Sequence, residues 1–203
     1  MKTRSVVLIS ILLAGSAGSI VPANAQLDSV RLATVSPLAG TGDAGAVDGL
    51  GGASSLNRPH GITVSASGEI IVADRGNHLI RKIKTDGTVV TLAGTGKAAY
   101  AEGSGAKAAF NEPIAVAVDR KGNIFVADRN NHRVREITSD GTVKTLAGSG
   151  EAGFVDGYDH KARFNQPYGV ALDDAEITLY VADYLNHSIR AINLLTDQVS
   201  TLA

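Results

Sequence analysis

The chain repeats a motif every 54 to 55 residues, and this period constrains the fold more than any other feature. A proline recurs at Pro59, Pro113 and Pro167, and the motif "VADxxNH" recurs in step with it. Three units, at about 56–96, 110–150 and 164–203, are joined by Gly-rich linkers and make up most of residues 26–203. Self-similarity at this period predicts stacked copies of one supersecondary unit, each burying its apolar faces against its neighbours.

Each unit contains four short β-rich runs separated by turn residues. In the first unit, strand a is "GITV", b is "EIIVAD", c is "HLIRKI" and d is "TVVTLAG". Ser67-Gly68 and Asp86-Gly87 supply hairpin signals between them. Strands a and b are apolar on both sides, whereas a β-sandwich would show one-sided alternation. The pattern predicts an all-β chain, a β-propeller built of four-stranded blades with three blades in this chain.

The repeated pattern "NxPxGIxVxxxGxIxVADxxNHxIRxI" resembles the NHL repeat. The longer period and the "LAGTG" segments resemble its extended form in bacterial and teneurin-like propellers, and the resemblance covers all three units. It implies one propeller blade per unit and a binding role. It implies no particular reaction, because NHL-like propellers include both non-catalytic scaffolds and enzymes.

Three blades are fewer than the four to eight that usually close a propeller. If each terminal face exposes about six aliphatic side chains, each worth roughly 1.5 to 3 kcal/mol when buried, about 10 kcal/mol is lost per face. Whole domains are stable by only about 5 to 15 kcal/mol. Two hypotheses follow: the chain is an incomplete ring, part of a longer propeller, or it is half of a six-bladed homodimer.

Residues 35–42, "VSPLAGTG", match strand d of the other units and predict an orphan outer strand before the first blade. In a homodimer, this strand would compete with "QVSTLA" to complete the third blade of the other copy. Pro37 suits an edge strand, which needs few ladder hydrogen bonds.

The first 25 residues have the pattern of a secretory signal peptide: Lys2 and Arg4, an apolar run, and "ANA" at the predicted cleavage site. We therefore expect a periplasmic or extracellular protein, without a lipoprotein anchor or disulfides because cysteine is absent. No later run is apolar enough for membrane insertion. Removing two of 19 basic residues leaves 17 against 20 acidic ones, a formal charge of −3, which argues against nucleic-acid binding.

Residues that recur in every unit are predicted to be structural, because a catalytic centre is built once whereas a blade corner is built three times. The arginines are expected to lie over apolar faces and pair with an acid or carbonyl of a neighbouring blade. The residues assigned this role are Asp74, His78, Arg81, Asp128, His132, Arg135, Asp183, His187 and Arg190.

Positions that differ between units are the better candidates for ligand binding. They lie in the b-to-c turns and beside each repeat proline, which we expect on one loop face of the propeller. Arginine, tyrosine and histidine suit recognition surfaces, so this face is predicted to bind a protein or carbohydrate ligand. The candidates are Arg58, His60, Arg75, Glu112, Arg129, Gln166, Tyr168 and Tyr184.

No catalytic residue, cofactor or metal is predicted. Gly40, Gly42 and Gly45 match G-x-G-x-x-G, but the helix that this motif requires is absent from the pattern. Asp43, Asp48 and Asp156 lack the ligand spacing of a calcium loop. One alternative is a propeller hydrolase or lyase of the lactonase or amidating-lyase type, which the resemblance would supply with a divalent metal in the channel. Another is a truncated propeller fragment without independent function.

Overall fold

The computed structural model describes residues 35–203. The fold below is that of the compact unit formed by residues 36–203. The predicted signal peptide at residues 1–25 lies outside the described residues. No helix within the described part of the chain is long and apolar enough to cross a membrane.

Residues 36–203 form three antiparallel sheets, here called blades 1, 2 and 3 in chain order. Blade 1 contains β1 (Gly49–Leu50), β2 (Pro59–Val64), β3 (Ile70–Asp74), β4 (Leu79–Ile83) and β5 (Thr88–Ala93). Blade 2 contains β6 (Gly103–Ser104), β7 (Pro113–Val118), β8 (Ile124–Asp128), β9 (Arg133–Ile137) and β10 (Thr142–Ala147). Blade 3 contains β11 (Gly157–Tyr158), β12 (Pro167–Leu172), β13 (Thr178–Asp183), β14 (Ser188–Asn193) and β15 (Gln198–Thr201).

Short 3-10 helices lie in the connections between strands. They span Gly51–Ala53, Arg75–Asn77, Arg129–Asn131, Asp159–Lys161 and Tyr184–Asn186. The three that connect the second and third long strands of a blade occupy the two variable positions and the asparagine of "VADxxNH". Each ends at a histidine in the left-handed region, with φ between 52° and 55°.

The predicted all-β fold is confirmed, and strands a to d follow one another as antiparallel neighbours in each blade. Each sheet also has a fifth, two-residue strand from the preceding linker, which the four-stranded prediction omitted. In blade 1, Gly49 pairs with Val89 of the outermost long strand. Asp48, just before it, accepts hydrogen bonds from the backbone N–H and the hydroxyl of Thr91, both at 3.0 Å, and so ties the linker to the blade edge.

The orphan strand expected at residues 35–42 is absent from the described structure. Gly40 and Gly42 have φ of 100° and 92°, a left-handed conformation incompatible with a strand. The N–H of Gly40 donates to the carbonyl of Gly51 at 3.2 Å, which holds the segment against a loop. Strand d of blade 1 ends at Ala93, before the glycine equivalent to Gly40, so the predicted bounds reached too far.

Two of the three buried apolar clusters of the described residues lie between blades. Ile71 and Ile80 of blade 1 share a buried cluster with Val126 and other residues of blade 2. Phe125 of blade 2 shares the second cluster with Val181 and other residues of blade 3. Because each blade packs face to face with the next, the loops at one end of the three sheets are brought close together.

Candidate functional site

A buried aspartate at the end of strand b organises the corner of each blade. In blade 1, Asp74 is fully buried and accepts hydrogen bonds from the Asn57 N–H at 2.7 Å, Asn77 Nδ2 at 2.7 Å and Arg81 Nη1 at 3.0 Å. The buried Arg81 guanidinium also contacts Asp48 Oδ1 at 2.6 Å and the carbonyl of Ser55 at 3.1 Å. This arrangement joins strands b and c to the incoming linker.

Blades 2 and 3 repeat the network. Asp128 and Asp183 bind Arg135 and Arg190 at 3.0 and 2.9 Å, with all four side chains fully buried. The expectation that the arginines pair with a neighbouring blade's acid was wrong, because the buried partner belongs to the same blade. Strands b and c lie side by side, so an aspartate ending one strand faces an arginine on the next.

Two of the three linker aspartates considered for calcium, Asp48 and Asp156, contact the same arginines. Partial burial acts to raise the pKa of Asp48, but hydrogen bonds from Thr91 and Arg81 outweigh it and lower the pKa below its ordinary value. For Asp156, burial likewise acts to raise the pKa, but hydrogen bonds from Arg190 and Thr201 outweigh it and lower the pKa below its ordinary value. Both carboxylates therefore stay ionised and are occupied in holding the linker.

The repeated histidines connect consecutive blades. Nδ1 of His78 accepts a hydrogen bond from the Glu112 N–H at 3.0 Å, and Nδ1 of His132 accepts one from the Gln166 N–H at 3.1 Å. Glu112 and Gln166 have φ of 53° and 54°, which turns each N–H toward the preceding blade. His187 has the same left-handed conformation but makes no such bond within residues 35–203.

The variable loop residues form a charged group where the three blades meet. Glu112 Oε2 accepts from Arg75 at 2.9 Å and from Arg129 at 3.0 Å. Arg129 also donates to Gln166 Oε1 at 2.9 Å. Burial acts to raise the pKa of Glu112, but Arg75 and Arg129 outweigh it and lower the pKa. One carboxylate thus serves two guanidinium groups.

Aromatic rings lie beside this charged group. Tyr168 and His60 meet edge to face with ring centroids 5.4 Å apart, and Tyr184 lies 5.3 Å from Tyr168. The guanidinium of Arg129 lies 5.8 Å from the centre of the Tyr168 ring. His60 Nδ1 is 3.1 Å from the carbonyl of Ile114 and therefore carries the proton, so Nε2 accepts from the Tyr168 hydroxyl at 3.2 Å.

The structure brings together all but one of the residues predicted to bind a ligand. We call this group the apical cluster: His60, Arg75, Glu112, Arg129, Gln166, Tyr168 and Tyr184. Arg58 stands apart, exposed on the rim of blade 1 beside a cavity of about 440 Å³.

Some important residues were missed from the sequence. Asn57, Asn111 and Asn165 direct their N–H groups to the buried aspartates at 2.7 to 2.8 Å. They recur two residues before each repeat proline, and this repetition is the signal that could have revealed them. No comparable signal predicts the contact between His60 and Tyr168, because these residues belong to different units.

Residues 35–203 contain no group of three or more His, Cys, Asp or Glu side chains placed to hold a metal ion. The apical cluster offers ring edges, hydroxyl and imidazole groups and partly neutralised guanidinium groups. Such a surface can stack on and hydrogen-bond to a ligand.

Consecutive five-stranded blades packed face to face define a β-propeller-type repeat protein. The NHL repeat family model matches residues 56–83 and 110–137. The NHL repeat-containing protein 2 of Bos taurus is 31% identical over 157 residues, which cover 70% of this chain and 22% of that protein. The chain belongs to the NHL repeat family.

Two further curated relatives match over parts of their lengths. The chloroplastic protein SUPPRESSOR OF QUENCHING 1 of Arabidopsis thaliana is 41% identical over 91 residues, covering 44% of this chain and 9% of that protein. A probable peptidyl-alpha-hydroxyglycine alpha-amidating lyase of Caenorhabditis elegans is 26% identical over 143 residues, covering 70% and 39%. The chain thus spans well under half of each relative.

A similar solved structure is described as an auxiliary nutrient binding protein from Bacteroides thetaiotaomicron. It has a TM-score of 0.60 and 25% identity, with 73% of this chain and 38% of that chain covered. A second protein from the same organism, described as of unknown function, has a TM-score of 0.62 and 26% identity, covering 68% and 36%.

Proposed function

We propose that this NHL-repeat protein is a binding module that recognises a carbohydrate through the apical cluster. The observation that supports this most is the cluster itself: side chains that do not repeat between blades converge at one end of a repeated scaffold. Tyr184 and His60 are exposed and Tyr168 is half-buried, so a ligand can reach all three rings. Rigid strands hold these side chains in place, as a recognition site requires.

The charge balance of the cluster favours a neutral ligand. Arg75 and Arg129 share Glu112, which compensates much of their positive charge. What remains available are aromatic faces, a tyrosine hydroxyl, and N–H donors of the guanidinium groups. Sugars present both apolar C–H faces and hydroxyl groups, which match this mixture. The similar structure described as a nutrient binding protein supports a binding role.

The test is calorimetric titration of the purified protein with oligosaccharides chosen from a glycan array. We expect Tyr168→Ala and His60→Ala each to weaken binding at least tenfold, which corresponds to about 1.4 kcal/mol. Tyr158→Ala is the matched control, since Tyr158 is an exposed tyrosine on the outer strand β11. A protein that binds no glycan, or a Tyr168→Ala variant with parental affinity, would contradict the proposal.

A divalent-metal enzyme of the amidating-lyase type is a second proposal, supported by 26% identity to such a protein. Because residues 35–203 contain no cluster of metal-binding side chains, its ligands would have to include groups outside this part of the chain. Elemental analysis after dialysis separates the two proposals: a stoichiometric divalent ion would favour the enzyme.

We further propose that the protein acts in the periplasm or outside the cell, on the basis of the signal-peptide pattern at residues 1–25. N-terminal sequencing of the exported protein should begin near Gln26. Recovery of the chain with Met1 intact from the cytoplasm would contradict this location.

A further inference from the structure

We propose that His78 and His132 make ligand binding by the apical cluster sensitive to pH, because protonation of either imidazole breaks a hydrogen bond that holds the cluster together. The ligand would then be released in a mildly acidic medium. This inference rests on the proposed function, since it concerns the regulation of the same site. It is carried by two hydrogen bonds, here called the histidine links, between blades 1 and 2 and between blades 2 and 3.

The donor in each histidine link is a backbone N–H, and this fixes the protonation state of the ring. The Glu112 N–H lies 3.0 Å from Nδ1 of His78, and the Gln166 N–H lies 3.1 Å from Nδ1 of His132. A backbone N–H can only donate, so each Nδ1 must be unprotonated. A second proton on either ring would place two N–H groups against each other, and the hydrogen bond would be lost.

The two links hold the residues that bind the arginines of the apical cluster. Glu112 accepts hydrogen bonds from Arg75 and Arg129. Gln166 accepts one from Arg129. Glu112 and Gln166 also have left-handed φ of 53° and 54°, a conformation that costs energy outside glycine and persists where neighbouring contacts enforce it. Loss of the histidine acceptor therefore frees the backbone that places both arginine partners.

His60 is the third histidine of this region, and its contacts tolerate an added proton. Its Nδ1 donates to the carbonyl of Ile114, and its Nε2 is paired with the Tyr168 hydroxyl. If Nε2 gains a proton, the hydroxyl oxygen of Tyr168 can accept where the hydroxyl donated before. His60 thus keeps both partners in acid, so the sensitivity to pH is assigned to the two histidine links.

The charged groups around His132 come from two blades. Burial and the guanidinium of Arg133, on the same strand, act to lower the pKa of His132, whereas the carboxylate of Asp183 in blade 3 acts to raise it. The pKa of His132 is lowered overall, and the Asp183 charge is shared with a buried arginine of its own blade. The equivalent carboxylate in blade 2, Asp128, is paired in the same way. The neutral ring, which forms the link, is therefore the form present at pH 7.

The charged groups around His78 belong to the apical cluster. The nearest carboxylate is that of Glu112, the residue whose N–H donates to His78. Burial acts to raise the pKa of Glu112, but Arg75 and Arg129 outweigh burial and lower it. Glu112 therefore stays ionised where histidine side chains ordinarily titrate, at about pH 6.5. Histidines, and not this carboxylate, change charge in the cluster between pH 7.5 and pH 5.

Hydrogen exchange at single amides tests the links without a ligand. We expect the Glu112 and Gln166 amides of the full chain to be protected at pH 7.5 and to lose about tenfold or more of this protection at pH 5, relative to intrinsic exchange rates. The amide of Asn165 is the matched control. It directly precedes Gln166 but donates to the buried Asp183 carboxylate at 2.7 Å, so it should stay protected at both pH values.

An asparagine variant separates the proton from the contact. Asparagine adopts left-handed φ more readily than most residues, and its side-chain oxygen can replace Nδ1 as an acceptor that does not titrate. We expect His78→Asn combined with His132→Asn to give the parental amide spectrum at pH 7.5 and to keep both linked amides protected at pH 5. His160→Asn, at a side chain 73% exposed outside the cluster, should lose protection in acid as the parent does.

Calorimetry then connects the links to binding. With an oligosaccharide selected on the glycan array, the parent affinity should fall about tenfold or more between pH 7.5 and pH 5, and the double asparagine variant should bind equally at both. Three results would each overturn the proposal: linked amides that stay protected at pH 5, a double variant that loses protection there, or a parent affinity independent of pH. If no oligosaccharide binds, the proposed function fails, and the exchange measurement decides by itself whether the links open in acid.

Discussion

Replacing Arg135 by methionine should destabilise the protein strongly, although methionine retains much of the packing. Arg135 is fully buried, and its guanidinium lies 5.4 Å from the centre of the Phe110 ring. Methionine is long and apolar enough to keep the contact with that ring. The change therefore removes the charge and its hydrogen bonds rather than the bulk of the side chain.

The magnitude follows from what is left behind. Asp128 would keep hydrogen bonds from Asn131 and from the Asn111 N–H but would lose its only buried cation among the described contacts. Removing one partner of a buried pair costs about 3 to 5 kcal/mol, because the other charge stays buried and uncompensated. Arg120→Met, at a side chain 72% exposed beside Glu176, should cost less than about 1 kcal/mol.

Urea unfolding followed by circular dichroism at fixed protein concentration measures both losses. The pH dependence is a sharper test. Burial already raises the pKa of Asp128 above its ordinary value of 3.8, and without Arg135 the pKa should rise further. A raised pKa in the folded state means that, as the pH falls, the folded protein binds this proton at a higher pH than the unfolded chain does. The difference between variant and parent should therefore shrink as the pH falls toward 3.8. A loss no larger than that of Arg120→Met, or a difference that does not change with pH, would refute this reasoning.

Two further predictions concern the junctions. Gly61→Ala should lower the free energy of unfolding by about 1 to 3 kcal/mol, because the new Cβ would lie 2.6 Å from the Cα of Ala115 in the next blade. Gly52→Ala is the control, since nothing lies within 4 Å of a Cβ there. Equal shifts in melting temperature for the two variants would contradict the steric argument. Burial and the neighbouring Arg133 lower the pKa of His132 below its ordinary value of 6.5. The contribution of His132 to stability should therefore be complete above pH 6.5 and decrease as the pH falls below it. A pH series in which His132→Ala shows the same decrease in stability would contradict this assignment.

The strands were predictable because local signals agree with the global repeat. Apolar runs of strand length alternate with turn residues, and the same pattern occurs three times. The strand assignment in each unit is therefore supported by the other two. The all-β propeller architecture followed from these signals. The two-residue strands at the blade edges were not predictable, since two residues carry no periodicity and their pairing depends on where Asp48 meets Thr91.

The candidate site was predictable in its location more than in its contacts. Variable residues next to constant turns indicated the loop face, and the structure places most of them together. The meeting of His60 with Tyr168 depends on how three blades curve around a common axis, which no single unit encodes. Arg58 shows the same limit, because its place on the rim depends on which blade comes before it.

The histidine links also give the blades a direction. Blade 1 accepts from blade 2, and blade 2 from blade 3, through a histidine of the earlier blade and the N–H preceding the proline of the later one. A gene duplication that copies one whole unit would therefore insert a blade already equipped with both connectors. Changes in blade number would need no new interface, and selection could act on the variable loops while the connectors stay the same.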